Sequence, residues 1–317
     1  MQSGRQFSYD PCMTVPRRRL LAVAAAPVLA QTKEGQRAKG GTAKAGFAYP
    51  PVIEGARTEV YKTVGDVKLQ LWILNPAGHS ASDRRAAIVF FFGGGWTGGN
   101  PAQFEQQSRR LAKAGMVAIM ADYRVASRHG VKAIDCVRDA KSAIRWVRSN
   151  AARLGIDPKR IAAGGGSAGG HLAAATGVIA GLDEAGENTR IPSRPDAMVL
   201  FNPALVLAPA PGVAAQMPAN LAERTGGDPA AVSPYQHVKK GAPPAIIFHG
   251  KADTTVPYVT AEAFATKMVK AGNRCELAGY EGQTHGFFNY GRGGNEYYEK
   301  TMARTEEFLR SLGYLSR

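Results

Sequence analysis

Arg160-Ile161-Ala162-Ala163-Gly164-Gly165-Gly166-Ser167-Ala168-Gly169-Gly170 is the stretch on which the reading of this chain turns. Residues 160–163 read as a short strand, and the Ala-rich residues 168–181 read as a helix. Ser167 therefore falls on the turn between them. Glycines two places before and two places after it leave room for the two backbones to approach. A helix start behind the serine offers free N–H groups and a positive dipole end to a developing anion. In that setting G-x-S-x-G marks Ser167 as a candidate nucleophile.

Two other readings compete. Gly164, Gly166 and Gly169 also spell G-x-G-x-x-G, and Glu184 follows at about the spacing of a ribose-binding acid. Such an acid should end a second strand, whereas Glu184 sits among polar residues and glycines. A dinucleotide loop also opens a sheet, and this one follows several strand-like runs. The second competitor is a glycine-rich turn without chemistry, which only the rest of the chain can argue against.

Outward from the turn, strand-like runs alternate with helical patterns. Residues 59–63 and 68–75 form an opening pair of strands, and 86–92, 116–121, 197–201, 244–249 and 274–280 are further strands. Helical spacing covers 103–114, 134–154, 260–271 and 296–312. This alternation predicts an α/β fold: a mostly parallel, eight-stranded sheet with helices on both faces. One domain over 56–317 holds all of it. Residues 202–233 are rich in Pro and Ala and long for a plain loop, so they are a candidate lid or pocket wall.

A nucleophilic serine needs a base, and the base needs a carboxylate to orient it. Six histidines are available: His79, His129, His171, His237, His249 and His285. The first two precede Ser167. His171 is one helical turn beyond it and reads as structural. The strand 244–249 runs into Gly250-Lys251-Ala252-Asp253, which places Asp253 just past a strand end. Only His285 follows Asp253, in a loop directly after the strand ending at Tyr280. The order Ser167, Asp253, His285 is thus the one full assignment with both partners on loops that follow strands. Asp183, Asp196 and Asp228 follow no strand directly.

The strand 86–92 ends in Gly93-Gly94-Gly95-Trp96. Backbone N–H groups of Gly94 and Gly95, with that of Ala168, are candidates to cradle an oxyanion. Trp96 either lines the substrate pocket or packs as core.

Composition narrows the rest. Hydrophobic residues make up 44% of the 317, enough for a full core and against disorder as the main state. The net charge of +15 invites a nucleic-acid reading. The basic residues are nevertheless scattered, apart from Arg17–Arg19 and residues 33–44, and no helix carries a basic stripe with interleaved aromatics. No nucleic-acid partner is expected. Arg17-Arg18-Arg19, the apolar run 20–30 and the small residues before Gln31 read as an export signal, which places the protein in the periplasm or outside the cell. That run is too short to cross a bilayer, which takes about 20 residues, so no stable membrane insertion is expected. Residues 31–55 read as a mobile leader. Cys136 and Cys275 lie on elements expected to be far apart, so no bridge is expected between them. No metal-ligand spacing occurs, and neither metal nor cofactor is implied.

The motifs together resemble the esterase and lipase branch of the α/β-hydrolases typified by hormone-sensitive lipase and small carbohydrate esterases. The matching pieces are Gly93-Gly94-Gly95-Trp96, Asp122-Tyr123-Arg124, Gly166-Ser167-Ala168-Gly169-Gly170-His171, Asp253 with Val256-Pro257, and His285-Gly286-Phe287. Phe92 stands where that branch usually has histidine, and Gly166 where aspartate often precedes the serine. Both departures pull the match toward acetyl- or feruloyl-esterase-like members. The resemblance implies hydrolysis of short-acyl esters, on a small-molecule or saccharide-linked alcohol. Amide-cleaving relatives, such as an aryl formamidase or a prolyl-type peptidase, are the alternative within enzymes. A silent hydrolase fold used for binding is the alternative outside them.

Expressed with its leader in a secreting bacterium, the mature protein should begin at Gln31. N-terminal sequencing that finds residues 1–30 still attached contradicts the export reading.

Overall fold

The computed structural model describes residues 48–213 and 218–316. The export segment 1–30 and the first part of the leader lie outside the described residues. The last part of the leader does not behave as expected. Residues 48–55 pack on the body: Ile53 is buried, Trp72 Nε1 donates to the Pro51 carbonyl at 3.1 Å, and the Tyr49 hydroxyl donates to Asp122 Oδ2 at 2.6 Å. The packed chain therefore begins before residue 56.

The strands are β1 (Arg57–Val64), β2 (Val67–Leu74), β3 (Arg85–Phe91), β4 (Val117–Ala121), β5 (Ile156–Gly166), β6 (Ala197–Phe201), β7 (Ala245–Gly250) and β8 (Cys275–Tyr280). They form one eight-stranded sheet in the order β1-β2-β4-β3-β5-β6-β7-β8. The pairs β1/β2 and β2/β4 are antiparallel, and every pairing from β4/β3 to β7/β8 is parallel, as expected. The helices are α1 (Glu105–Lys113), α2 (Ala126–His129), α3 (Ala133–Ser149), α4 (Ala168–Val178), α5 (Leu221–Thr225), α6 (Pro234–His237), α7 (Tyr258–Lys270) and α8 (Glu296–Ser311).

The period-2 alternation of a strand splits β3 between two apolar layers. Ala87, Val89 and Phe91 pack with α3, α4 and α7. Ala86, Ile88 and Phe90 pack with α1 and α8 on the other face. Because both faces are covered, the central strands carry continuous apolar runs rather than an alternating pattern. After β3 the chain crosses to β4 on one side, and after β4 it returns to β5 on the other. The gap between the C-terminal ends of β3 and β5 is therefore a switch point, where open α/β sheets bind ligands.

Two elements depart from the sequence reading. The helix expected to reach residue 154 ends at Ser149, where the Trp146 carbonyl accepts from Ser149 Oγ and Asn150 Nδ2 as well as from Asn150 N, a side-chain cap at the helix end. The strand expected over 160–163 runs from Ile156 to Gly166, because Gly164–Gly166 stay in parallel register with Val199, Leu200 and Phe201 of β6. Glu184 also finds its place. It pairs with Lys62 at 2.6 Å and Arg124 at 3.5 Å, and Lys62 and Arg124 both bind the buried carboxylate of Asp139. That ion cluster ties β1 to α3. Glu184 is thus engaged in an ion cluster rather than closing a second strand. Cys136, buried on α3, and Cys275, opening β8, are both free.

The glycine spacing of the central turn has a steric cause. A Cβ on Gly165 would collide with the Gly169 backbone, and one on Gly169 with the carbonyls of Phe91 and Phe92. In an ordinary helix Gly→Ala gains about 1 kcal/mol. Gly169→Ala should instead cost about 1–3 kcal/mol, the usual penalty for overpacking, read as a lower urea midpoint. Gly98→Ala, whose Cβ would meet nothing closer than 4.0 Å, serves as control. Equal stability of Gly169→Ala and wild type contradicts the close-approach argument.

Candidate active site

β5 ends in Gly166 and hands the chain to Ser167 at φ 55° and ψ −117°, a conformation that residues bearing a Cβ rarely adopt. Backbone bonds hold it there. Ser167 N donates to the Phe201 carbonyl at 2.8 Å, and the Ser167 carbonyl accepts from His171 N at 2.9 Å. The turn thereby lifts the hydroxyl clear of the sheet's C-terminal edge.

The three residues assigned from sequence meet there. Ser167 Oγ lies 2.9 Å from His285 Nε2, and His285 Nδ1 lies 2.7 Å from Asp253 Oδ2. Asp253 follows β7 and is almost fully buried, whereas His285 sits partly open in the loop after β8. Burial by itself pushes the Asp253 carboxyl up. The imidazoles of His249 and His285 and the Val256 N–H outweigh that and hold it well below the usual carboxylate range. With Asp253 ionised, His285 Nδ1 must donate, which leaves Nε2 free to accept the Ser167 proton.

Two supports of Asp253 were not legible in the sequence. Asn202, at φ 41° just after β6, donates from Nδ2 to Asp253 Oδ2 at 2.7 Å. His249 Nε2 lies 3.5 Å from the same oxygen and bonds the Val256 carbonyl at 2.8 Å. Oδ1 accepts the N–H groups of Thr255 and Val256, both at 2.9 Å. A single asparagine past a strand carries no pattern that could announce this.

The glycine loop after β3 stands opposite. Gly93 N is engaged by Gln103 Oε1 at 2.6 Å, and Gln103 Nε2 donates to Asn289 Oδ1 at 3.0 Å, which links this loop to the His285 loop. Among the described residues the N–H groups of Gly94 and Gly95 take no hydrogen-bond partner. Ala168 opens α4, so its N–H lacks a helical acceptor. All three expected donors are thus available. Gly94 has φ 128°, and a Cβ there would strike the Gly98 carbonyl.

Trp96 both packs and lines the pocket. Its ring is buried, and its Nε1 donates to His171 Nδ1 at 3.1 Å. Since indole is only a donor, His171 Nδ1 is unprotonated and Nε2 donates to the Val232 carbonyl at 2.6 Å. His171 is therefore neutral, and it anchors the 202–233 segment to α4. Residues 214–217 of that segment lie outside the described residues; from the rest of it, Ala204, Val206, Leu207, Leu221 and Arg224 line a mainly apolar pocket of about 160 Å³ shared with Ser167, Ala168, Gly95 and Trp96. On the far side of Gly93 and Gly94 lies a groove of about 590 Å³, lined by Gln103, Gln106, Asn289, Tyr290 and Arg292.

Burial pulls His171 down to about 4 from its ordinary 6.5, against the opposing pull of the Val232 carbonyl. A lowered histidine contributes stability above its unfolded value, and that contribution is lost as pH falls, because only the unfolded chain takes up the proton. Wild type should lose about 3 kcal/mol of unfolding free energy from this group between pH 6.5 and 4. His171→Gln should flatten that slope in urea titrations. Parallel slopes for the two proteins contradict the assignment of a neutral, buried His171.

Comparison with known proteins identifies the fold family. The family described as the alpha/beta hydrolase fold matches residues 88–289. Esterase LipC of Mycobacterium tuberculosis is 31% identical over 218 residues, covering 63% of this chain and 52% of that protein. The chain spans about half the length of the curated relatives it matches first. Esterase 2 of Thermogutta terrifontis, phosphonylated by sarin, superimposes with a TM-score of 0.83 at 54% identity, over 86% of this chain and all of that one. The same esterase with propionate bound gives 0.82 at 55% identity, over 86% of this chain and 99% of that one.

Proposed function

Because the chain belongs to the α/β-hydrolase fold family, we propose that it is a serine carboxylic-ester hydrolase acting through an acyl-enzyme on Ser167. The observation that carries this reading is the hydrogen-bonded line from Ser167 Oγ through His285 to buried Asp253, set on a strained strand-to-helix turn. Ser167 Oγ attacks the ester carbonyl while His285 Nε2 takes its proton. The negative charge that develops on the carbonyl oxygen is received by the N–H groups of Gly94, Gly95 and Ala168. The tetrahedral intermediate collapses as His285 returns the proton to the leaving alcohol. Water, activated by the same imidazole, then releases the acid. Asp253 keeps the ring in the required tautomer and stabilises the imidazolium.

The finer reading is a short acyl group on a polar, saccharide-like alcohol. About 160 Å³ beside Ser167 holds only a few carbons, and the propionate-bound relative is in keeping with that. The wider groove beyond Gly94 presents amides and an exposed tyrosine, Tyr290, which suit a sugar's hydroxyls and ring face.

Ser167→Ala, His285→Ala and Asp253→Asn should each lower kcat on p-nitrophenyl acetate by about 10⁴-fold or more. The Ser167→Ala/His285→Ala double variant should be no worse than the poorer single one, because the residues act as a unit. Losses that multiply, or substantial turnover by Ser167→Ala, contradict the assignment. Activity should also fall steeply from p-nitrophenyl acetate or butyrate to the decanoate, and a flat acyl profile contradicts the short-acyl reading.

A further inference from the structure

We propose that Arg224 is a specificity residue that selects esters bearing a carboxylate, a reading that deepens and rests on the ester-hydrolase function above. Among the described residues Arg224 is the one charged side chain lining the pocket that holds Ser167 and Ala168. It reaches in from α5, where Nη2 donates to the Gly95 carbonyl at 3.1 Å and the guanidinium lies 5.4 Å from the centre of the Trp96 ring. Its neighbour Glu223 is taken by Lys132, and no carboxylate among the described residues pairs with Arg224 itself.

An arginine anchored at one nitrogen, over an indole face, in a mainly apolar pocket is only part-solvated and carries uncompensated charge. The single bond to Gly95 leaves the rest of its fork unused. That fork matches a carboxylate in two-point fashion, which a neutral amide or alkyl group cannot reproduce. A role confined to fastening the wall to the glycine loop explains the Gly95 contact. It does not explain why the charge lacks an acidic partner inside the substrate pocket.

The site leaves open which half of the ester carries the carboxylate, so the experiment uses both. Monomethyl succinate is compared with methyl succinamate for the acyl half, and 4-acetoxybenzoate with 4-acetoxybenzamide for the alcohol half. Wild type should prefer the carboxylate member of at least one pair by about 10-fold or more in kcat/KM, equivalent to about 1.4 kcal/mol. The preference should reside mainly in KM and shrink as salt rises. In Arg224→Leu it should vanish, and in Arg224→Lys it should persist in part. A merely structural arginine would lower both members of a pair equally and leave the ratio unchanged. No preference in wild type, or one that survives in Arg224→Leu, overturns the proposal. If Arg224→Leu does not fold, the wild-type ratio and its salt dependence still decide. Turnover of p-nitrophenyl acetate by wild type shows separately that the ester-hydrolase reading stands, so the two failures are distinguishable.

Discussion

The close approach of β5 to α4 at Gly165 and Gly169 is the constraint on which the site depends. With no Cβ on either residue, the helix start can settle against the carbonyls of Phe91 and Phe92 at the end of β3. That contact forces Ser167 into a sparsely populated backbone conformation, a strain of order 1–3 kcal/mol that the sheet and helix hold between them. It also brings the start of α4 beside the glycine loop after β3. Nucleophile and anion-stabilising donors are thereby fixed by the same packing. Neither can move without disturbing the apolar layers on both sides of the sheet.

Around this frame, charge is arranged so that proton transfer has one direction. Asp253 is buried yet kept ionised by the imidazole of His249 and by hydrogen bonds from His285, Asn202, Thr255 and Val256. His285 is orientated by that carboxylate and remains partly open to the substrate. His171, although close in sequence to the serine, is held neutral between Trp96 and Val232 and serves the wall of the pocket. Two histidines thus have opposite tasks because one faces a carboxylate and the other only an indole and a carbonyl.

Much of this was legible in the sequence where function is written as order along the chain. Ser167, Asp253 and His285 could be found because each follows a strand and because chain order excludes the other histidines. The parallel sheet was legible because strands buried on both faces leave continuous apolar runs. Asn202, His249 and Arg224 were hidden for the opposite reason. The roles of Asn202 and Arg224 come from long-range contacts, between β6 and the β7 loop and between α5 and the glycine loop, whereas His249 acts through the local turn of that loop on Asp253 and Val256; none of these leaves a periodicity. The extent of β5 was missed because Gly164–Gly166 look like a breaker, yet in a sheet flanked on both sides they mark a place where backbones must come near. The packing of residues 48–55 was missed because one buried Ile53 among prolines and glycines resembles a linker.

The central claim, that Ser167 is an activated nucleophile within a complete acyl-transfer site, is tested most directly by a fluorophosphonate probe followed by peptide mapping. The account predicts one stoichiometric adduct on Ser167 in wild type, formed far more slowly in His285→Ala. Absence of an adduct in folded wild type, or an adduct on another serine, contradicts it.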